Sequence, residues 1–166
     1  MQIRPKAVEP LHDDPASPLG ARDVARGIAR LFWQQGRTAL TEVCLPGGRR
    51  VDVMALGSDG SLAVVEIKVA VSDLRGDRKW PDYLHWCDEF YWGIPAGFDP
   101  ALLEEECFSP GSCGLLIADR FGAEQLRAAA PDRLNAARRK RAVQLFARTA
   151  SARLMRIDDP FLDQPS

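Results

Sequence analysis

From Ala21 onward, apolar residues recur at Val24, Ile28, Leu31 and Phe32, a spacing that places them on one helical face. Gly36 is a natural stop, so the pattern predicts a first helix over about residues 20–36. The period then changes. TALTEVCLPGGRRVDVMALGSDGSLAVVEIKVA reads as three strands parted by two turns, PGG and GSDG, both rich in residues that tolerate positive φ. Short connections of this kind imply an antiparallel meander. Pro81 suits the first turn of a short helix, and EFYWGI has the aromatic, β-branched character of a fourth strand. Asp99 followed by Pro100 predicts another short, capped helix. CGLLIAD predicts a fifth, fully apolar strand, entered from a helix and so a candidate for parallel pairing. PDRLNAARRKRAVQLFARTA predicts a basic helix starting at Pro131, with Leu134, Ala137, Leu145 and Phe146 available for packing.

This order of elements predicts an α/β domain, a central mixed β-sheet flanked by helices. Four prolines within residues 1–19 mark a flexible N-terminal arm, and residues 20–160 are expected to form one domain. A chain of 166 residues with 46% hydrophobic content is ordinary for a single compact domain. No window approaches the roughly 20 apolar residues that span a bilayer, and the N-terminus has no apolar core like that of a signal peptide. The expectation is a soluble, cytoplasmic protein with no membrane partner. Cys44, Cys87, Cys107 and Cys113 form no CxxC pair, which speaks against disulfides and zinc. With only His12 and His85, histidine-centred triads and two-histidine metal sites are excluded from consideration.

Net charge is −1, but residues 120–156 hold ten Lys and Arg against two Asp and Glu, a local +8 that leaves −9 on the remainder. That asymmetry is compatible with a C-terminal segment that binds a polyanion.

LAVVEIKVAVSD carries a carboxylate and an ammonium two residues apart on an otherwise apolar strand. Val64, Glu66 and Lys68 share one face; Ala63, Val65, Ile67 and Val69 share the other. An edge strand could carry such a pair as protection, but the surrounding valines argue for a covered strand, where buried charges are costly. In RRVDVMAL, Asp52 faces away from Val51 and Val53. If the GSDG turn folds these strands together, Asp52 approaches Glu66 and Lys68 on one face. Two carboxylates and the backbone carbonyl of Ile67 would make a hard oxygen site for Mg2+ or Mn2+, with water completing the shell. Such a cation activates water and offsets charge on a phosphate, while Lys68 positions the nucleophile or neutralises developing charge.

Asp52, thirteen intervening residues, then Glu66-Ile67-Lys68 resembles the D…(D/E)xK signature of the PD-(D/E)xK nuclease superfamily. The resemblance covers residues 20–120 and implies a restriction-endonuclease-like fold. Val51 replaces the proline of the motif, and the first helix lacks the Glu that some members add as a ligand; Asp23 or Glu42 could substitute. More narrowly, VEIKVAVSDLRGDRKWPDYLHWCDEFYWGIP is similar to the bacterial MmcB family, with its DRKWP.Y...CD segment. That likeness implies DNA repair and a nuclease-type fold, not cleavage by itself; joined to the D…ExK signature it gives the expectation of a DNA-repair endonuclease, a phosphodiester hydrolase using Mg2+ or Mn2+, with Asp52, Glu66 and Lys68 catalytic and Asp52, Glu66, the Ile67 carbonyl and Glu42 as candidate metal donors.

DNA is then the expected partner, and a homodimer or other repair proteins are candidate partners besides. Lys79, Trp80 and Tyr83 follow the ExK strand and are candidate DNA contacts, though such rings usually pack. Arg138, Arg139, Lys140 and Arg141 are further candidates, against the bland reading of a solvated helix. Asp77 and Asp88 could pair with arginine, cap a turn or assist catalysis. The alternatives to an enzyme are a non-catalytic DNA-binding or nuclease-partner module that keeps the fold, and an assembly protein in which Glu66 and Lys68 are only an ion pair.

Overall fold

The computed structural model describes residues 17–163, so nearly all of the expected N-terminal arm lies outside the described residues. The first helix, α1 (Ala21–Gln34), ends at Gln35 and Gly36, the latter at φ 74°. Asp23 accepts the Gly20 amide at 3.0 Å, satisfying a donor at the helix start. Three strands follow, β1 (Arg37–Cys44), β2 (Arg50–Gly57) and β3 (Leu62–Ile67), paired antiparallel as a meander. A short helix α2 (Val71–Gly76) and a 3₁₀ segment over Trp80–Trp86 lead to β4 (Glu89–Pro95), which runs parallel to β3. The 3₁₀ turns Pro100–Glu104 and Glu106–Phe108 precede β5 (Gly114–Ala118), parallel to β4. Asp99 caps the first of these turns, accepting from the Ala101 amide.

With a last strand, β6 (Ala123–Arg127), antiparallel to β5, the six-stranded mixed sheet has strand order β1-β2-β3-β4-β5-β6, so β3 is interior and every one of its residues is buried. An edge-strand reading of Glu66 and Lys68 is therefore excluded by position. On one face, Val24, Ile28 and Phe32 of α1 pack against Val53, Val65, Ile67 and Tyr91. Gly27 lets α1 come close to the turn that follows β5, since a Cβ there would lie 2.3 Å from the Asp119 carbonyl and 2.4 Å from that of Gly122. On the other face, Trp80, Phe90, Trp92 and Phe108 form an aromatic core with Met54, Val64 and, from the last helix, Ala142 and Phe146. Among the described residues no helix is long and apolar enough to cross a membrane.

Besides α2, which the sequence reading lacks, two elements depart from it. β6 (Ala123–Arg127) was not expected, because AEQLR lacks apolar alternation; its exposed side chains suit an edge strand held by backbone pairing to β5. The basic helix α3 (Ala136–Asp158) begins five residues after Pro131, where the Asn135 side chain accepts the Arg138 amide at 2.9 Å. Leu134 is buried in the lead-in, and the amides of Asp132 and Leu134 are both bound to Asp88, which holds this segment out of the helix. Ala137 is exposed rather than packed.

Candidate active site

The β2–β3 ladder is paired as far as Val53 with Val65 and then ends. Just beyond, Asp52 Oδ2 accepts the Ile67 amide at 2.7 Å, so a carboxylate takes over a donor that the ladder no longer serves. β3 continues along β4, with Glu66 opposite Trp92 and Lys68 N donating to Gly93 O at 2.9 Å. Glu66 and Lys68 project from the same face, and Lys68 Nζ lies 3.1 Å from Glu66 Oε1. Its second partner is Asp77, with Oδ2 at 2.7 Å. The three side chains are each about one-tenth exposed.

Burial governs the electrostatics. It pushes Glu66 up to about 7, with the nearby Asp52 charge adding to the effect and Lys68 only partly offsetting it. Burial also raises Asp52 above the ordinary carboxylate range. It would drive Lys68 toward the neutral amine, but the bonds and charges of Asp77 and Glu66 outweigh it and hold the ammonium. Burial opposes ionisation of Asp77 too, yet Lys68 and the Lys79 and Trp80 amides bring it below the ordinary range. Glu66 Oε2 is buried and has no hydrogen-bond partner.

Glu42 sits opposite Asp52 in the β1–β2 register, where the pairing skips from Thr41 with Val53 to Val43 with Val51. Its backbone is at φ 50°, an uncommon conformation for a side-chain-bearing residue inside a strand. Its carboxylate lies 3.5 Å from Arg50, and its carbonyl accepts from Arg153 at 2.8 Å. A groove of about 570 Å³ opens here, with Arg22, Ala25 and Arg26 of α1 facing Glu42, Asp52 and Ile67. Asp23 is engaged elsewhere, with Arg120 at 3.4 Å and the Gly20 amide.

The donor set fits a hard divalent cation in chemistry. Asp52 Oδ1 and Glu66 Oε2 remain uncommitted to hydrogen bonds, and a buried acceptor without a partner is costly unless something fills its place. Two carboxylates and a carbonyl, completed by water, suffice for Mg2+ or Mn2+. Among the described residues no group of three or more His, Cys, Asp or Glu side chains converges on one point, so protein carboxylates alone would not fill the shell.

The remaining candidates are dispersed. Trp80 is buried, its ring centroid 5.3 Å from Phe90 and 5.5 Å from Trp92. Tyr83 is buried as well, with its hydroxyl donating to Arg50 O at 3.3 Å. Neither ring presents a face to solvent, so packing accounts for both. Lys79 is exposed beside Asp77. Arg139 is committed to Asp88 by two bonds, at 2.8 and 2.7 Å, and to Gly60 O at 2.7 Å. Asp88 also accepts the amide of Leu62, the first residue of β3. Glu66 lies four residues further along, roughly 13 Å away at 3.3 Å per residue. The Arg138–Arg141 run therefore sits at the other end of β3 from the carboxylates. Arg138, Lys140 and Arg141 are exposed, with the Arg141 guanidinium 5.7 Å over Trp86. The cations that line the groove come instead from α1. Their signal was present in ARDVARGIAR, where Arg22 and Arg26 recur at helical spacing away from the Val24 and Ile28 face. The link from Asp77 to Lys68 had no such signal, since it forms across α2.

Fold and site together define a mixed α/β protein with buried Glu66 and Lys68 beside the half-buried Asp52 at the carboxyl end of an interior strand. The chain belongs to the family described as DNA repair protein MmcB-like, which matches residues 9–161. This membership connects the protein with DNA repair. It is also 40% identical to a solved protein of unknown function from Silicibacter pomeroyi, covering 84% of this chain and 92% of that one with a TM-score of 0.77. No curated protein matches.

Proposed function

We propose that the protein is a divalent-metal-dependent DNA endonuclease of the PD-(D/E)xK kind, acting in DNA repair. The observation that carries this reading is the unpartnered, buried Glu66 Oε2 beside Asp52 and Lys68. Asp52, Glu66 and the Ile67 carbonyl would hold Mg2+ or Mn2+, with water completing the shell, while Glu42 stays on Arg50. Such an ion would ease formation of hydroxide from water and offset charge gathering on a phosphate. Lys68, held as an ammonium by two carboxylates, serves as a fixed positive charge beside the scissile phosphate and orients the attacking water. Arg22 and Arg26 at the groove, with Lys79, would hold the DNA backbone.

A second reading, a DNA-binding or nuclease-partner module without cleavage, is favoured by the degree to which the cluster already satisfies itself, through Lys68 on Glu66 and Asp52 on the Ile67 amide. Labelled single-stranded, duplex, flap and mismatched DNAs, incubated with Mg2+ or Mn2+, separate the two. Cleavage by the native protein that disappears in Glu66→Ala and Lys68→Ala supports the enzyme. Binding without cleavage supports the module. Cleavage retained in purified Glu66→Ala protein defeats the assigned site.

A further inference from the structure

We infer that Asp77 is a positioning residue that draws the Lys68 ammonium off Glu66 when a divalent cation enters, an inference that rests on reading Asp52 and Glu66 as the cation site. The two partners of Lys68 differ in kind. Glu66 lies two residues back on the same strand, with one oxygen on Lys68 and the other unpartnered. Asp77 lies beyond α2 and is fixed in place, since its Oδ1 accepts the Lys79 amide at 2.9 Å and the Trp80 amide at 3.2 Å. Trp80 is in turn packed on Trp92, the residue opposite Glu66 on β4. Asp77 and Glu66 are thus referenced to the same tryptophan, and the Asp77 oxygen is the nearer to Lys68, at 2.7 Å against 3.1 Å.

A cation on Glu66 repels the ammonium and competes for the oxygen it holds. A buried ammonium with no other partner would cling to Glu66 and oppose that entry. Asp77 removes the obstacle by supplying a second, fixed anion: Lys68 keeps a charge-assisted bond while both oxygens of Glu66 become available. The same bond keeps the positive charge of Lys68 beside the site.

Asp77→Asn is the informative change, because asparagine retains the oxygen that caps the two amides and loses the charge. Mn2+ binding without DNA, read by electron paramagnetic resonance, is compared for native protein, D77N, K68M and the double variant. D77N should weaken Mn2+ by roughly tenfold. Fixed charges acting independently would give the same factor with or without Lys68; the inference requires a several-fold larger loss when Lys68 is present. With Mg2+ bound, the Lys68 ammonium resonance should stay protected from exchange in native protein and broaden away in D77N. K68M, which does not depend on the D77N fold, should bind Mn2+ at least as tightly as native protein. Equal losses in both backgrounds, an unchanged D77N affinity or weaker binding by K68M would each overturn the inference while leaving the cation site standing. A native protein that binds no Mn2+ would remove the cation site and this inference with it.

Discussion

Asp52 Oδ2 accepts the Ile67 amide at 2.7 Å where β2 and β3 part, so one carboxylate both closes the sheet and faces the groove. Structure and chemistry are joined in that side chain, and substitutions can separate them.

Asp52→Asn keeps an oxygen for the Ile67 amide and removes the charge. Its stability to urea should stay within about 1 kcal/mol of native, while metal-dependent cleavage falls by on the order of 100-fold or more. Asp52→Ala removes the acceptor as well and should cost a further ~1–2 kcal/mol. An active Asp52→Asn protein would show that the carboxylate serves the sheet alone.

Glu66 gives the fold a pH dependence of defined sign. Its carboxyl is raised to about 7 by burial and by Asp52, above its ordinary 4.5, so the folded state holds the proton more tightly than the unfolded chain. Its contribution is fully present below about pH 4.5 and is lost as pH rises through about 7. Loss across that window is at most about 3 kcal/mol, at 1.36 kcal/mol per unit. Glu66→Gln removes this component. Urea unfolding at pH 5 and pH 8 should show a larger fall in stability for native protein than for the variant; equal falls would mean that Glu66 is solvated.

How far the sequence disclosed this depends on what each feature rests on. Alternation alone placed Glu66 and Lys68 on one face and Asp52 across the GSDG turn, because side-chain direction in a paired strand has period two. The three-strand meander was legible for the same reason. β6 was not, since AEQLR is held by backbone bonds and carries no apolar period. The start of α3 was misplaced because Pro131 resembles a helix start, whereas the amides that follow are drawn to Asp88, a partner more than 40 residues earlier. The charge count found the basic segment but could not show which end of β3 it faces. Asp77 was left open among three roles, and only the path of the chain through α2 brings it to Lys68.

Asp88 and Arg139 should therefore affect stability. Asp88 is buried and accepts two amides and a bidentate guanidinium. Asp88→Ala should cost about 3–5 kcal/mol, as for a broken buried pair. Arg139→Ala should cost less, because Arg139 is more exposed than its partner and the two amides remain on Asp88. Thermal unfolding measures both, and an Arg139→Ala protein of native stability would return Arg139 to the DNA-contact candidates.

DNA affinity should depend on the groove rather than on the basic run. Arg22 and Arg26 line the groove with Asp52, whereas Arg138 and Lys140 lie at the far end of β3. A phosphate contact contributes about 0.9 to the slope of log affinity against log salt on duplex DNA. Arg22→Ala with Arg26→Ala should lower that slope by up to about 2 and weaken binding most at low salt. Arg138→Ala with Lys140→Ala should leave the slope within about 0.5 of native, less than one phosphate contact. Fluorescence anisotropy from 50 to 200 mM salt reads both, with Ca2+ present to suppress cleavage. The opposite ranking would place the DNA across the start of α3, too far from Glu66 for the carboxylates to act on the phosphates it holds. In that event the binding module would be the better account of the protein.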